Sequence, residues 1–112
     1  MTPQASLDDT LIALADPTRR AILQRVAVGE SRVTDLAEPF AISLNAVSKH
    51  IRILERSGLV RRRRSGREHL LSLNTQPFDE AMAWMETQRA FWKRNLMALD
   101  ELLQAEDVIG ER

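Results

Sequence analysis

The sequence of 112 residues contains no cysteine. Disulfide bonds, thiolate nucleophiles and sulfur-ligated metal sites are thereby excluded. It holds two histidines, His50 and His69, and 4 glycines, with no histidine pair at metal spacing, no nucleophile elbow and no glycine-rich phosphate loop. Catalysis needs convergent titratable groups, so an enzyme is not expected, and neither is a metal or any other cofactor. No apolar run approaches the roughly 18 residues that span a bilayer. The opening MTPQASLDDT has neither the basic nor the apolar region of a secretory signal. A cytoplasmic protein with no membrane partner is expected.

An excess of charge is lacking too: 16 Lys and Arg face 16 Asp and Glu. The balance conceals a segregation. Residues 44–67 carry eight basic side chains against one acid, a segment charge of +7, whereas residues 77–112 carry eight acids and four basic residues, a charge of −4. A polyanion responds to the surface facing it, so the basic segment matters more than the total. What is present is otherwise ordinary for a folded chain, with 44% hydrophobic and 29% charged residues. The length suits a single domain over residues 1–112.

Leu7, Leu11 and Leu14 recur at helical intervals and predict a short first helix ending before Asp16-Pro17. Asp16 suits an N-cap and Pro17 a first helical position. A second helix is therefore predicted from Pro17 to about Val28, burying Ile22, Leu23 and Val26 before Gly29. Ser31 is expected to begin a third helix, with Val33, Leu36 and Ala37 inward and Pro39 ending it. Ser43 then caps a fourth whose apolar residues Leu44, Val47, Ile51 and Leu54 face inward, with Gly58 as its left-handed stop. Two helices joined by so short a turn, spanning 31–57, form a helix-turn-helix.

Opposite that apolar stripe, the fourth helix presents Asn45, Ser48, Lys49, Arg52 and Arg56. Amide, hydroxyl and basic groups are the types that read base edges in a major groove. A solvated helix face would look similar alone, but this one lies second in a helix-turn-helix and beside a basic hairpin. That hairpin, over 59–74, is predicted from Leu59-Val60, the run Arg61 to Arg64, a turn near Ser65-Gly66, and alternating Leu71 and Leu73. Four guanidiniums on a short ribbon should repel one another and leave it mobile until anions screen it. His50 flanks the buried face and is expected to be packed and hydrogen-bonded; His69 is expected to be structural or near a phosphate.

A last helix is predicted over 77–105. Phe78, Met82, Met85, Trp92, Leu96, Leu99 and Leu103 form a heptad-like seam, widened by Trp84, Phe91 and Leu102. The other helices are too short to cover it, so a second copy is the expected partner. Helices 1–15 and 77–105 would pair across a two-fold axis through Leu7, Leu11, Leu14, Met85, Trp92, Leu96, Leu99 and Leu103.

ADPTRRAIL (15–23), VTDLAEPF (33–40), AVSKHIRILERSGLV (46–60) and SGREHLLSL (65–73) together resemble the ArsR-type winged helix-turn-helix repressors. AMAWMETQRAFWKRNLMALDELL (81–103) is similar to the branch whose last helix carries Trp and Phe-Trp in place of metal ligands. The resemblance covers nearly the whole chain. It implies a mainly α fold with a small β-hairpin wing, five helices and a long C-terminal dimerisation helix. It further implies a homodimer that binds double-stranded operator DNA and represses transcription, with a small-molecule inducer as a possible further partner. By position it assigns Leu44, Asn45, Ser48 and Lys49 to the groove, and Arg64, Ser65, Gly66 and Arg67 to the wing tip. The thiolate pair of the metal sensors would fall at Arg32 and Thr34, and their last-helix Asp/His set is absent, so no metal site is expected.

The expected DNA-binding set is accordingly Ser43, Leu44, Asn45, Ser48, Lys49, Arg52, Arg56, Arg62, Arg64, Ser65, Gly66 and Arg67, with helix 43–57 reading the major groove and the wing holding backbone or minor groove. A winged-helix module for protein or RNA would show an apolar reading face instead. A small enzyme or chaperone-like dimer would show a pocket of convergent ionisable groups. A ligand lodged among Trp84, Phe91 and Trp92 at the dimer seam would make the repressor inducible.

Overall fold

A computed structural model of the chain describes residues 6–110, with side chains to residue 106. In chain order the elements are α1 (Leu7–Leu14), α2 (Pro17–Val28), β1 (Ser31–Arg32), α3 (Val33–Ala37), α4 (Leu44–Ser57), β2 (Val60–Ser65), β3 (Glu68–Leu73) and α5 (Gln76–Gly110). The described residues thus form five helices and a small antiparallel sheet of order β1-β3-β2. This is the mainly helical arrangement with a β-hairpin wing that the resemblance implies, built from the helices and hairpin that the caps and apolar intervals predict.

Local chemistry accounts for most of the boundaries. Ser6 caps α1 by accepting from the Asp9 N–H at 3.1 Å while Asp9 reaches back to the Ser6 N–H, a capping box. Asp16 caps α2 by accepting from the Arg19 N–H at 3.0 Å, with Pro17 in the first turn. That bond, above all, holds the Asp16 carboxyl below its ordinary value. Ser43 caps α4 by accepting from the Ala46 N–H at 3.1 Å. Gly58 ends α4 at φ 80°, a left-handed conformation that a Cβ disfavours. Gly58→Ala should therefore lower stability by about 1–2 kcal/mol. The check is the urea midpoint, which should fall with an unchanged slope.

The expected start of the third helix is corrected. Ser31 is not its cap: Ser31 and Arg32 are extended and pair with Leu71 and Leu70 of β3, and α3 begins at Val33 with no side-chain cap. Pairing with the hairpin satisfies backbone groups that a helix would otherwise have used, and nothing in the dipeptide itself signals it. The hairpin turn lies at Gly66-Arg67, since Ser65 still pairs with Glu68. The last helix begins at Gln76 and runs to Gly110, 35 residues and so roughly 52 Å, against the expected 77–105.

The chain divides into two compact units, Met1–Ala81 and Met82–Arg112. The core of the first is one cluster: Ala13 of α1, Ile22 and Val26 of α2, Leu36 of α3, Val47, Ile51 and Leu54 of α4, then Leu59, Val60 and Leu71. Leu14, Leu23 and Val33 pack partly against it. The buried hydroxyl of Ser57 donates to the Leu54 carbonyl at 2.6 Å and accepts from the Leu59 N–H at 3.2 Å. Asn74 donates to the Gly58 carbonyl at 2.9 Å. The two ends of the hairpin are thus tied to the end of α4, which fixes where the wing stands relative to that helix. In the second unit, α5 carries Met82, Trp84, Met85, Phe91, Trp92, Leu96, Leu99, Leu102 and Leu103, all exposed in the single chain.

Candidate nucleic-acid interface

Burial of Val47, Ile51 and Leu54 orients α4. A helix repeats every 3.6 residues, so Asn45, Lys49, Arg52 and Arg56 are carried to its exposed face, with Ser48 half-buried at the edge. No carboxylate lies within ion-pair distance of Lys49, Arg52 or Arg56 among the described residues. Leu44, which its spacing put on the inward stripe, is 51% exposed. One turn into the helix the core is already filled by Val47, and Leu44 is left on the surface beside Ser48. Leu44 is one of the positions that the resemblance assigns to the groove.

Strand alternation divides the four arginines. Arg62 stands opposite Leu71 and Arg64 opposite His69, while Arg63 stands opposite Leu70 and Arg61 opposite Ser72. Directly paired residues share a face, so Arg62 and Arg64 project on the face of buried Leu71, and Arg61 and Arg63 on the other. The inner pair of the run is bonded to the protein itself. Arg62 donates to Glu55 of α4 at 2.7 and 3.3 Å, and Arg63 donates to Glu30 at 2.6 and 2.8 Å. The Arg63 bonds hold the Glu30 carboxyl below its ordinary value. Arg32 of β1 joins Asp35 and Glu68 at 2.8 and 2.9 Å. Three guanidiniums thus brace the sheet against α4, the residue before β1, and the start of α3.

The expectation of four mutually repelling cations is corrected accordingly. Two of the four are neutralised by carboxylates on opposite faces of the sheet, which removes most of the repulsion between neighbours. Arg61, Arg64 and Arg67 have no carboxylate partner among the described residues. Arg64 Nε donates to the Gly66 carbonyl at 3.0 Å, which holds the guanidinium over the turn. Gly66 adopts φ 61° with open space around it, so the turn is narrow and unobstructed.

Between α4, the start of α3 and the hairpin lies a cleft of about 400 Å³ lined by Arg32, Val33, Thr34, Leu44, Ser48, Arg62, Arg67, Glu68 and His69. It brings the first turns of α4 and the wing tip to one concave surface. Of the residues expected at the interface, Leu44, Ser48, Arg62 and Arg67 line it, and Ser43, Asn45, Lys49, Arg52, Arg56, Arg64, Ser65 and Gly66 are exposed outside it. Sequence reasoning missed Glu30, Glu55 and Arg32, which hold the wing. A surplus of arginine over carboxylate was visible, but which carboxylate meets which arginine was not.

Among the described residues no cluster of three His, Cys, Asp or Glu is placed to hold a metal ion, and no helix is long and apolar enough to cross a membrane.

A profile described as a helix-turn-helix domain matches residues 14–63, the span from the end of α1 into β2. The transcriptional repressor SdpR of Bacillus subtilis is 34% identical over 79 residues, which is 70% of this chain and 88% of that protein. The HTH-type transcriptional regulator Rv2034 of Mycobacterium tuberculosis is 36% identical over 106 residues, 95% of this chain and 96% of its own length. Among solved structures, a crystal structure of an ArsR family transcriptional regulator shares 40% identity at a TM-score of 0.74, over 78% of this chain and 96% of that one. An ArsR-like transcriptional regulator from Rhodococcus sp. RHA1 superposes at a TM-score of 0.77 with 28% identity, over 86% of this chain and 91% of that one.

Proposed function

The chain belongs to the ArsR-type family of winged helix-turn-helix transcriptional regulators, which are DNA-binding proteins and not enzymes, and from that premise we propose that it is a homodimeric, metal-independent repressor of operator DNA. In this reading α4 lies in the major groove, where Asn45, Ser48, Lys49 and Arg52 meet base edges and neighbouring phosphates. The wing tip, Arg64 to Arg67, holds the backbone or minor groove. The observation that carries the proposal is one cleft that joins the first turns of α4, through Leu44 and Ser48, to the wing, through Arg62 and Arg67, with Lys49, Arg52 and Arg56 of α4 exposed outside it. Phosphate contacts position the protein, and base contacts specify the site.

Dimerisation is supported by the exposed apolar stripe of α5, which exceeds what a soluble monomer ordinarily leaves uncovered. A two-fold dimer would present two reading helices to half-sites about one DNA turn apart. Repression is supported by the likeness to the transcriptional repressor SdpR. Metal independence is supported by the composition: the chain has no cysteine, and the two positions where the metal sensors carry thiolates hold Arg32, spent on Asp35 and Glu68, and the exposed Thr34.

Selection of bound fragments from a genomic pool yields the operator, and gel-shift titration on it tests the reading. With about three charged phosphate contacts per protomer, log affinity should fall against log salt with a slope near −5. A slope near zero overturns the electrostatic claim. Lys49→Ala should weaken operator binding by about tenfold, a single base-edge contact being worth about 1–3 kcal/mol, and weaken scrambled DNA far less. Equal losses on both would place Lys49 on the backbone.

A further inference from the structure

Arg19 of α2 makes side-chain bonds to two other helices. Its Nε donates to the Ala13 carbonyl at 2.9 Å and its Nη2 to the Ile12 carbonyl at 2.7 Å. Its Nη1 lies 3.1 Å from Nδ1 of His50. Ile12 and Ala13 are in the last turn of α1, where carbonyls carry partial negative charge, a natural seat for a guanidinium, and the Ile12 carbonyl accepts from the Ala15 N–H at 3.1 Å as well. His50 sits in the middle of α4, next to Lys49 and two residues from Ser48. The same side chain therefore joins the end of the first helix to the reading helix.

A guanidinium has donors only, so the 3.1 Å contact is a hydrogen bond only when the Nδ1 of His50 accepts, which requires the neutral ring with its proton on Nε2. Asp16 Oδ2 stands 3.8 Å from the same Nδ1, itself committed to the Arg19 N–H at 3.0 Å. These two α2 residues are the charged groups within ion-pair distance of the ring among the described residues. The elements that also pack on α4 direct their charges elsewhere: α1 offers the Ile12 and Ala13 carbonyls, Asp35 of α3 is bonded to Arg32, and Arg62 of β2 is bonded to Glu55.

We infer that Arg19 and His50 form a positioning clamp that holds α4 in its DNA-reading setting only while His50 is neutral. A proton on Nδ1 removes the acceptor, sets an imidazolium against a guanidinium, and turns the ring towards the Asp16 carboxylate. The ring cannot keep its bond to Arg19 and make the new one, so the setting of α4 against α1 and α2 changes. Neither residue touches DNA in this account. The inference rests on the reading of α4 proposed above, and it adds a dependence on proton concentration that the reading alone does not contain.

His50→Asn is the decisive variant, because its Oδ1 can accept from Arg19 in place of Nδ1 and does not titrate. Binding to the selected operator and to scrambled DNA is measured between about pH 8 and about pH 5.5, the range in which a histidine changes charge. The operator-to-scrambled affinity ratio of the natural chain should fall by about tenfold, and that of His50→Asn should stay constant. Arg19→Lys, which cannot reach three acceptors at once, should show a low ratio at every pH. His69 is exposed on the wing, where contacts to phosphate act on both DNAs alike and leave the ratio alone. A flat ratio in the natural chain, or a parallel fall in His50→Asn, overturns the clamp. A second measurement needs no DNA: nitrogen-detected spectra of the His50 ring at neutral pH should show Nδ1 without a proton. A proton on Nδ1 overturns the clamp even if the protein binds operator as proposed, whereas an unprotonated Nδ1 with no DNA binding in any variant would indict the reading of α4 alone.

Discussion

Trp92→Asp together with Leu96→Asp should yield a folded chain that no longer pairs with itself and binds its operator about a thousandfold more weakly. Both side chains lie on the exposed stripe of α5, at 59% and 65% exposure in the single chain. Neither belongs to the core cluster built from α1 to β3, so that unit should keep its fold and its unfolding transition. What is lost is a surface on which one aspartate per turn would have to be buried without a partner. The affinity follows from geometry: linked half-site readers bind with an advantage of roughly 10²–10⁴ over separate ones. Sedimentation measures the association and gel shift measures the binding. A dimer that survives both substitutions, or a monomer with undiminished operator affinity, would remove α5 from the proposed interface.

Neutralising the wing tip should have the next largest effect. Arg64→Gln with Arg67→Gln removes two cations per protomer that have no carboxylate partner among the described residues. In a dimer that is four phosphate contacts, so the salt slope should shrink by about 3 to 4. Affinity should drop by about a hundredfold on operator and scrambled DNA alike, because phosphates carry no sequence. The neighbouring pair should behave differently. Arg62 and Arg63 are already engaged by Glu55 and Glu30 at 2.7 and 2.6 Å, and exposed pairs of this kind contribute only about 0.2–1 kcal/mol. Arg62→Gln with Arg63→Gln should therefore lower affinity by less than about tenfold and leave most of the salt slope. If all four arginines prove equivalent, the ion pairs seen in the free protein do not persist on DNA.

The division within the run shows what a sequence can and cannot convey. That the arginines lie on a strand was legible from Leu59-Val60 before them and the alternating leucines after them. That two of them brace the wing was not, since Glu55 and Glu30 are respectively seven and 33 residues away from their partners. Leu44 shows the same limit at shorter range. Helical spacing placed it on the apolar stripe, but the core closes at Val47 and leaves Leu44 outside. Ser6 and Asp9 show the opposite case, a capping box that spacing alone would have revealed, as it did for Asp16-Pro17, Ser43 and Gly58.

By itself the sequence determined the five helices, the caps of α2 and α4 and the hairpin, because these rest on hydrogen bonds and apolar intervals within a few residues of each other. It also determined the polar-basic character of the exposed face of α4, since burying Val47, Ile51 and Leu54 leaves Asn45, Lys49, Arg52 and Arg56 on the other side. Tertiary structure alone decided the pairing of Ser31-Arg32 with β3, the three arginine braces, and the bond from Arg19 to His50 across 31 residues. Each needs two segments brought together by the closing of the core, and no local rule specifies which distant donor will meet which acceptor.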